Sequence, residues 1–205
     1  MTPVLYVETN FVLDIAKSET NAARKLLEEA EAGRLELRLP TVCIMESYKA
    51  WQNERRRVIP VIEEIADRLP QIKGWRGQTV MESTVAGFRE GLIEVDRELH
   101  EIRAEIACTI ERILAVGSLL PLPDAWPKGR KSTILIEDEP DDMILHSVLM
   151  EAARSGTHAA FLTKNTKDFQ TRAVTAVADA VNLKMLFQPE HAFGWAFHRT
   201  LGDEQ

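Results

Sequence analysis

The apolar and polar positions at the start of the chain follow first a strand pattern, then a helix pattern and then a strand pattern again. Residues 3–7 form an apolar run, which is typical of a short strand buried on both faces. From about Asn10, apolar side chains recur at three- and four-residue steps and predict a helix, and a second helix is predicted over 22–32. In residues 34–40 leucines alternate with charged side chains, which predicts a strand with one face exposed to solvent.

The middle of the chain has a helical pattern. It predicts a helix over 41–69, kinked or interrupted at Pro60, and a long helix over about 79–117. Each helix carries an apolar stripe, and the two stripes suit antiparallel partners, so we predict that 55–117 is a helical hairpin inserted into the main domain. The stripes consist of Val58, Ile62, Ile65 and Leu69 on the first helix and Phe88, Leu92, Val95, Leu99, Ile102 and Ile106 on the second.

The carboxyl-terminal part alternates again between helix and strand. Its prolines and glycine predict a loop over 119–133. The elements predicted after that loop are a helix over 142–155, a strand over 158–163, a helix near 171–181, a strand over 183–187 and a last helix from Pro189 toward Leu201. Strands and helices that alternate at both ends of a chain are typical of a parallel sheet covered by helices. The sequence therefore predicts an α/β fold that carries a helical insertion.

Length and composition narrow the classes of protein to which the chain can belong. Its 205 residues fit one domain, or one domain with a sizeable insertion. Charged residues interrupt every apolar stretch before it is long enough to span a membrane, and the start of the chain has no recognisable signal peptide. We therefore expect a cytoplasmic protein with no membrane partner, in which Cys43 and Cys108 are buried thiols rather than a disulfide.

The charge of the chain argues against one class of partner and favours another. A net charge of −7 disfavours a surface that attracts nucleic acid everywhere. Two local basic patches remain, at 55–57 and at 128–131, although a solvated helix face and a solvated loop are the more ordinary explanations of them. An acidic chain whose carboxylates cluster in a cleft suits a bound cation.

Acidic residues lie close to the predicted carboxyl ends of the strands, where ligands bind in parallel sheets. The residues concerned are Glu8 after the first strand, Glu46 on the helix after the second, Asp141 and Asp142 around the start of the helix over 142–155, and Thr163, Asn165 and Asp168 after the strand over 158–163. Carboxylates that repel one another are tolerated together when a hard cation offsets their charge, so the pattern predicts a Mg²⁺ or Mn²⁺ site. Such an ion can activate water for cleavage of a phosphodiester.

Several of these acids also have a purely structural explanation. Asp141 and Asp142 suit the start of a helix because acids there interact favourably with its dipole. Asp168 fits the cap of a turn, and Glu46 fits an exposed helical position. Glu8 differs from them, because an acid is disfavoured at the end of a buried strand unless it has a partner.

Four segments resemble, in order and spacing, the acidic motifs of PIN-domain nucleases. They read YVETNFVLD, TVCIMESYKAW, DEPDDMILHSVLMEA and FLTKNTKDF. The resemblance covers about residues 3–52 and 134–190 and leaves the predicted hairpin unmatched. It implies a single PIN-like domain over 1–205 with a three-layer α/β/α fold, a central mainly parallel sheet and the long helical hairpin over 55–117 as an insertion.

The same resemblance implies a site and an activity. PIN-domain nucleases are metal-dependent endoribonucleases, usually with Mg²⁺ or Mn²⁺, that hydrolyse RNA phosphodiester bonds, and very often they are the toxin of a toxin–antitoxin pair. By position, the catalytic and metal-binding acids are Glu8, Glu46, Asp142 and Asp168, supported by Asn10, Thr163, Asn165 and Asp141. The chain departs from the family pattern at Glu8, where Asp is commoner, and at Asn165, where many relatives have a carboxylate.

The remaining predictions concern partners and the contacts with them. We expect basic side chains to contact RNA phosphates without reading sequence. The candidates are Arg55, Arg56, Arg57, Lys164 and Lys167. His146 lies one helical turn beyond Asp142 and could act as a general acid or contact a phosphate, although a packed or surface histidine is the more ordinary explanation. An antitoxin and a second copy in a homodimer are the expected protein partners.

A different class of function fits the same pattern. In that alternative the chain is a weakly active or inactive PIN-like scaffold whose helical hairpin binds a protein partner. The apolar stripes of the hairpin suit that role, although packing of the hairpin on itself is the more ordinary explanation of them.

Overall fold

The computed structural model describes residues 2–68, 78–122, 134–156 and 158–197, except for the side chains of 78–82. The strands are β1 (Val4–Val7), β2 (Glu36–Pro40), β3 (Ser118–Leu120), β4 (Ala159–Leu162) and β5 (Leu183–Leu186). The helices are α1 (Thr9–Ala16), α2 (Asn21–Glu31), α3 (Thr41–Arg68), α4 (Gln78–Val116), α5 (Glu139–Ser155), α6 (Thr166–Phe169), α7 (Arg172–Ala180) and α8 (Pro189–Phe197).

The strands of the described residues form one sheet in the order β3-β2-β1-β4-β5, and every neighbouring pair is parallel. The chain moves outward from β1 to β3 and then crosses to the other side for β4 and β5. The direction of winding therefore reverses between β1 and β4. Val7 at the end of β1 pairs with Leu162 at the end of β4, so the residues that follow both strands leave the sheet at the same edge.

The core lies around the two central strands. All residues of β1 and β4 are buried, and Tyr6 and Phe161 are among the largest fully buried side chains of the described residues. Helix α5 packs against β2 and β3, α7 packs against β5, and α2 packs against α8. The described chain is thus an α/β fold with a parallel sheet, which is compatible with a three-layer α/β/α arrangement.

Local signals explain where several helices begin and end. Helix α1 starts directly after β1 because Glu8 caps it and accepts the main-chain N–H of Asn10. Helix α2 is capped in the same way by Thr20, whose hydroxyl oxygen accepts the N–H of Ala23 at 3.3 Å. Helix α5 ends at Gly156, which has a φ of 56° in the left-handed region that glycine adopts without strain.

Most of the predicted elements are confirmed, and two were missed. Strand β3 overlaps the start of the loop that was predicted over 119–133. Helix α6 was not predicted. A strand of three residues with two exposed side chains has no alternating pattern to detect, and a helix of four residues barely completes one turn. Residue 69, residues 123–133 of the predicted loop and 198–201 of the predicted last helix lie outside the described residues.

Three details of the predicted helices were wrong. Helix α3 continues through Pro60, so the predicted interruption is wrong and the alternative of a kink stays a prediction; proline removes one main-chain donor while the neighbouring turns keep theirs. Helix α5 begins at Glu139 rather than at 142, since Pro140 suits the first turn of a helix. Cys43 is buried as expected, but Cys108 is exposed; both are free thiols.

The chain divides into two compact units. The first consists of Met1–Ser47 and Ile106–Gln205 and contains the sheet. The second consists of Tyr48–Glu105 and contains the remaining parts of α3 and α4. None of the described helices combines the length and the apolar character that a membrane crossing requires.

Within the second unit, the two helices run antiparallel, as the hairpin prediction requires. Trp51 Nε1 donates to the main-chain oxygen of Leu99 at 2.6 Å, and Arg55 forms an ion pair with Asp96 at 2.9 Å. Later residues of α3 thus meet earlier residues of α4.

Candidate active site

Glu8 lies at the carboxyl edge of the sheet and is only 4% exposed. Its Oε2 accepts the main-chain N–H of Asn10 at 3.1 Å, and its Oε1 accepts the side-chain amide of Asn10 at 2.8 Å. Oε1 also accepts the main-chain N–H of Lys164 at 3.4 Å. Because Asn10 follows β1 and Lys164 follows β4, the acid is oriented from both sides of the point where the winding of the sheet reverses.

Ionising Glu8 is costly in this position. Burial raises its pKa from 4.5 to about 7, the hydrogen bonds from Asn10 and Lys164 lower it, and the charge of Asp141 raises it. Burial outweighs the hydrogen bonds because it removes the water that stabilises a carboxylate. A neighbouring cation would reverse this balance.

The side chain of Asn165 links two further acids. Its Nδ2 donates to Asp141 Oδ2 at 2.7 Å and to Asp168 Oδ2 at 2.9 Å, and its Oδ1 accepts the main-chain N–H of Asp168 at 3.3 Å. Thr163, which is 1% exposed, accepts the main-chain N–H of Asn165 through its hydroxyl oxygen at 3.0 Å. The loop between β4 and α6 therefore holds Asp141 and Asp168 side by side.

Asp141 lies among other negative charges. Burial raises its pKa to about 6, and the charges of Asp138, Glu46 and Asp168 contribute to the rise, whereas the hydrogen bond from Asn165 lowers it. An acid surrounded in this way binds a proton or a metal cation more readily than an isolated one.

Glu46 completes the group from the helix that follows β2. It is half-buried, and its Oε2 accepts a hydrogen bond from the Thr9 hydroxyl at 2.8 Å. Thr9 was not identified as a site residue from the sequence, although it lies directly after Glu8. We call the acids that influence one another at this edge, Glu8, Glu46, Asp141 and Asp168, the acid cluster.

Asp142, which the sequence matched to the third acid of the motif, makes different contacts. It is 1% exposed, and its Oδ1 accepts the main-chain N–H groups of Leu135 at 2.9 Å and Ile136 at 3.0 Å. His146 Nε2 lies 3.7 Å from the same oxygen, while the buried Oδ2 accepts no hydrogen bond from the described residues. Asp142 thus anchors the segment before α5, and its neighbour Asp141 belongs to the acid cluster.

The basic residues predicted to contact RNA are in different environments. Lys164 Nζ lies 2.5 Å from Asp14 Oδ1 and 3.5 Å from Glu19 Oε2, whereas Lys167 is exposed. Asp14 was missed from the sequence, although an acid inside the apolar run VLDIA is a signal of a buried ion pair. The three arginines Arg55, Arg56 and Arg57 lie in the second unit, where Arg55 is paired with Asp96.

The donors of the acid cluster suit a hard divalent cation, because Mg²⁺ prefers carboxylate and other oxygen ligands. In the arrangement described, however, no three His, Cys, Asp or Glu side chains among the described residues are grouped closely enough to hold a metal ion. The amide of Asn165 lies between the carboxylates of Asp141 and Asp168. The oxygen donors of the acid cluster therefore suit a cation, but its side chains would have to move closer together to bind one.

Comparisons with known proteins found no matching family model, no matching curated protein and no matching solved structure. A functional proposal for this chain therefore depends on its own sheet topology and on the residues at the sheet edge.

Proposed function

We propose that this protein is a PIN-type endoribonuclease that hydrolyses RNA phosphodiester bonds with Mg²⁺ or Mn²⁺ held by the acid cluster. The observation that carries this proposal is that acids from separate elements meet at the carboxyl edge of a parallel sheet, where its winding reverses. In open α/β sheets, ligands bind at that point. The order of the acids along the chain also follows the PIN-domain motifs.

The roles of the chain's own residues follow from their contacts. Asn10 orients Glu8, Thr9 orients Glu46, and Asn165 keeps Asp141 close to Asp168. A divalent cation bound here would activate a water molecule for attack on the phosphodiester and offset the charge that develops on the phosphate. Positive charge beside Glu8 and Asp141 favours their ionised forms, which burial otherwise disfavours.

The proposal assigns the third acid to Asp141 and not to Asp142. Asp141 is half-buried, its charge raises the pKa of Glu8, and the charges of Glu46 and Asp168 raise its own pKa. One oxygen of Asp142 is already used by two main-chain N–H groups. Asp142 is 1% exposed and its second oxygen is buried, whereas Asp141 is half-buried, so a cation can reach Asp141 more readily from the edge of the sheet.

The experiment is cleavage of a panel of labelled RNAs in the presence of Mg²⁺ or Mn²⁺. We expect cleavage by the wild type and loss of cleavage in Glu8→Gln and Asp141→Asn. Asp179→Asn, which changes an exposed acid on α7, is the matched control and should cleave like the wild type. If the wild type cuts no RNA with either metal, or if Glu8→Gln cuts as fast as the wild type, the proposal is wrong.

The biological setting of the nuclease is a further part of the proposal. The resemblance to toxin-type PIN nucleases supports a cytoplasmic toxin, a cognate antitoxin and a homodimer. Expression of the chain from an inducible promoter should then arrest growth, and Glu8→Gln should relieve the arrest. Growth at the same rate with both chains at equal expression would argue against the toxin role.

A second candidate function, a scaffold that binds a protein partner, is favoured by the surface of the second unit. Val61, Phe88 and Ile93 are exposed there, Ile93 by 70%. A cavity of about 360 Å³ between the two helices is lined by Ile62, Thr84, Gly87, Phe88, Gly91 and Val95. A scaffold would fold and bind its partner without Mn²⁺, so absence of any Mn²⁺-dependent rise in melting temperature would favour it over the nuclease.

A further inference from the structure

Lys164 lies in the loop that connects the two halves of the acid cluster. Its main-chain N–H donates to Glu8 Oε1, and the next residue, Asn165, donates to both Asp141 and Asp168. A small displacement of this residue would therefore change the distance between Glu8 and the pair of aspartates.

The side chain of Lys164 fixes this loop to α1. Its Nζ lies 2.5 Å from Asp14 Oδ1, and the side chain of Asp14 is only 4% exposed. Glu19 provides a second, longer contact at 3.5 Å. Because Glu8 caps the start of α1 and Asp14 lies on the same helix, the ion pair connects the helix that positions Glu8 to the loop that positions the aspartates.

We propose that Lys164 is a positioning residue that, through its ion pair with Asp14, sets the spacing of the acid cluster for metal binding. The inference deepens the proposed function and rests on it. Lysine at this position was predicted to contact RNA phosphate, but its ammonium group is already paired with a buried acid. Moving it to a phosphate would leave Asp14 buried without its partner, which is unfavourable.

The two roles predict different effects on kinetics. A positioning residue acts on metal affinity and on kcat, as residues that orient metal ligands do, and its loss typically costs 10- to 100-fold. A phosphate contact acts on KM for RNA, and its loss lowers the dependence of binding on salt concentration by about one charge. A variant of Asp14 distinguishes the two roles further, because a negatively charged carboxylate makes no favourable contact with a phosphate.

The test measures the Kd for Mn²⁺ by electron paramagnetic resonance, together with kcat and KM for RNA, in the full-length chain. The variants are Lys164→Met, Asp14→Asn, the double variant and Lys164→Arg. Lys184→Met on β5 removes an exposed lysine elsewhere and controls for the loss of one positive charge. Lys167→Met reports what the loss of an exposed lysine near the cluster does to KM.

We expect Lys164→Met and Asp14→Asn each to raise the Kd for Mn²⁺ by about tenfold or more and to lower kcat, with KM for RNA unchanged. The double variant should be no worse than either single variant, because both remove the same ion pair. Lys164→Arg keeps the charge and should stay within about threefold of the wild type. The control Lys184→Met should have the same Kd, kcat and KM as the wild type. If Lys164→Met does not fold, Asp14→Asn and Lys164→Arg decide the question.

The inference is overturned if Lys164→Met and Asp14→Asn bind Mn²⁺ and turn over like the wild type, or if Lys164→Met raises only KM and lowers the salt dependence. A wild type that binds no Mn²⁺ and cuts no RNA would overturn the proposed function itself, and this inference with it. That outcome differs from a nuclease that cuts RNA and binds Mn²⁺ equally well with and without the Lys164 side chain.

Discussion

The side chain of Asp142 binds the main chain of Ile136: its Oδ1 atom accepts the Ile136 N–H at 3.0 Å in a buried position. The same oxygen accepts the N–H of Leu135 at 2.9 Å. One carboxylate thus satisfies two donors of the segment that leads into α5. These two bonds give Asp142 a structural role beside the catalytic role that the motif resemblance predicts for it.

The first prediction concerns the stability that this anchor provides. Asp142→Ala should lower the free energy of unfolding by about 3 kcal/mol, because two main-chain donors would lose their acceptor, each at about 1–3 kcal/mol. Asp142→Asn keeps an acceptor oxygen in the same place and should cost less than about 1 kcal/mol. Urea denaturation of the three chains, followed by circular dichroism, measures both values. Equal losses in the two variants would contradict the role of Oδ1.

The second prediction separates the neighbouring acids by metal binding. Mn²⁺ should raise the melting temperature of the wild type by an amount that grows with the logarithm of its affinity. Asp141→Asn should abolish that rise because it removes a member of the acid cluster, whereas Asp142→Asn should retain it. Thermal unfolding with and without Mn²⁺ provides the measurement. The reverse result, with the rise lost only in Asp142→Asn, would restore the assignment suggested by the motif.

The third prediction concerns pH in metal-free buffer. Below pH 4.5, Glu8 is protonated in both the folded and the unfolded chain and has no effect on stability. Between pH 4.5 and about 7 the unfolded chain loses this proton while the folded chain keeps it, so stability falls as the pH rises. Above pH 7 both states are ionised and the loss is constant, at most about 3 kcal/mol.

The variant Glu8→Gln isolates this contribution. Other acids titrate in both chains, among them Asp141 with its raised pKa, so the relevant quantity is the difference between the two unfolding free energies at each pH. That difference should change between pH 4.5 and 7 and stay flat on either side. A constant difference over the whole range would mean that Glu8 titrates alike in both states. Mn²⁺ should reduce the fall in the wild type, because it favours the ionised acid.

How well the sequence predicts each strand depends on the length of its apolar or alternating run. β1, β2, β4 and β5 were predictable because a buried apolar run or an alternating one extends over their length, whereas β3 has only three residues. Glu8 could be singled out because an acid after a buried strand needs a partner. Asp141 and Asp142 are adjacent at a helix start, and only the fold decides which of them meets Asn165 and which meets Ile136.

The last prediction compares two glycines of very different surroundings. Gly117 lies between α4 and β3, and a Cβ there would be 2.2 Å from the main-chain oxygen of Leu37. Since β3 pairs with β2, the clash can be relieved only by moving main chain at the sheet edge, so Gly117→Ala should destabilise the chain by about 2 kcal/mol.

Gly87 lies inside α4, and a Cβ added there would meet nothing within 4 Å. Alanine loses less conformational freedom than glycine when a helix forms, so Gly87→Ala should stabilise the helix by about 0.5–1 kcal/mol. Urea denaturation followed by circular dichroism should thus give opposite signs for the same chemical change. A stabilising Gly117→Ala would mean that β3 is not held against β2 as described, because the closest contact of the added methyl group is with the main-chain oxygen of Leu37.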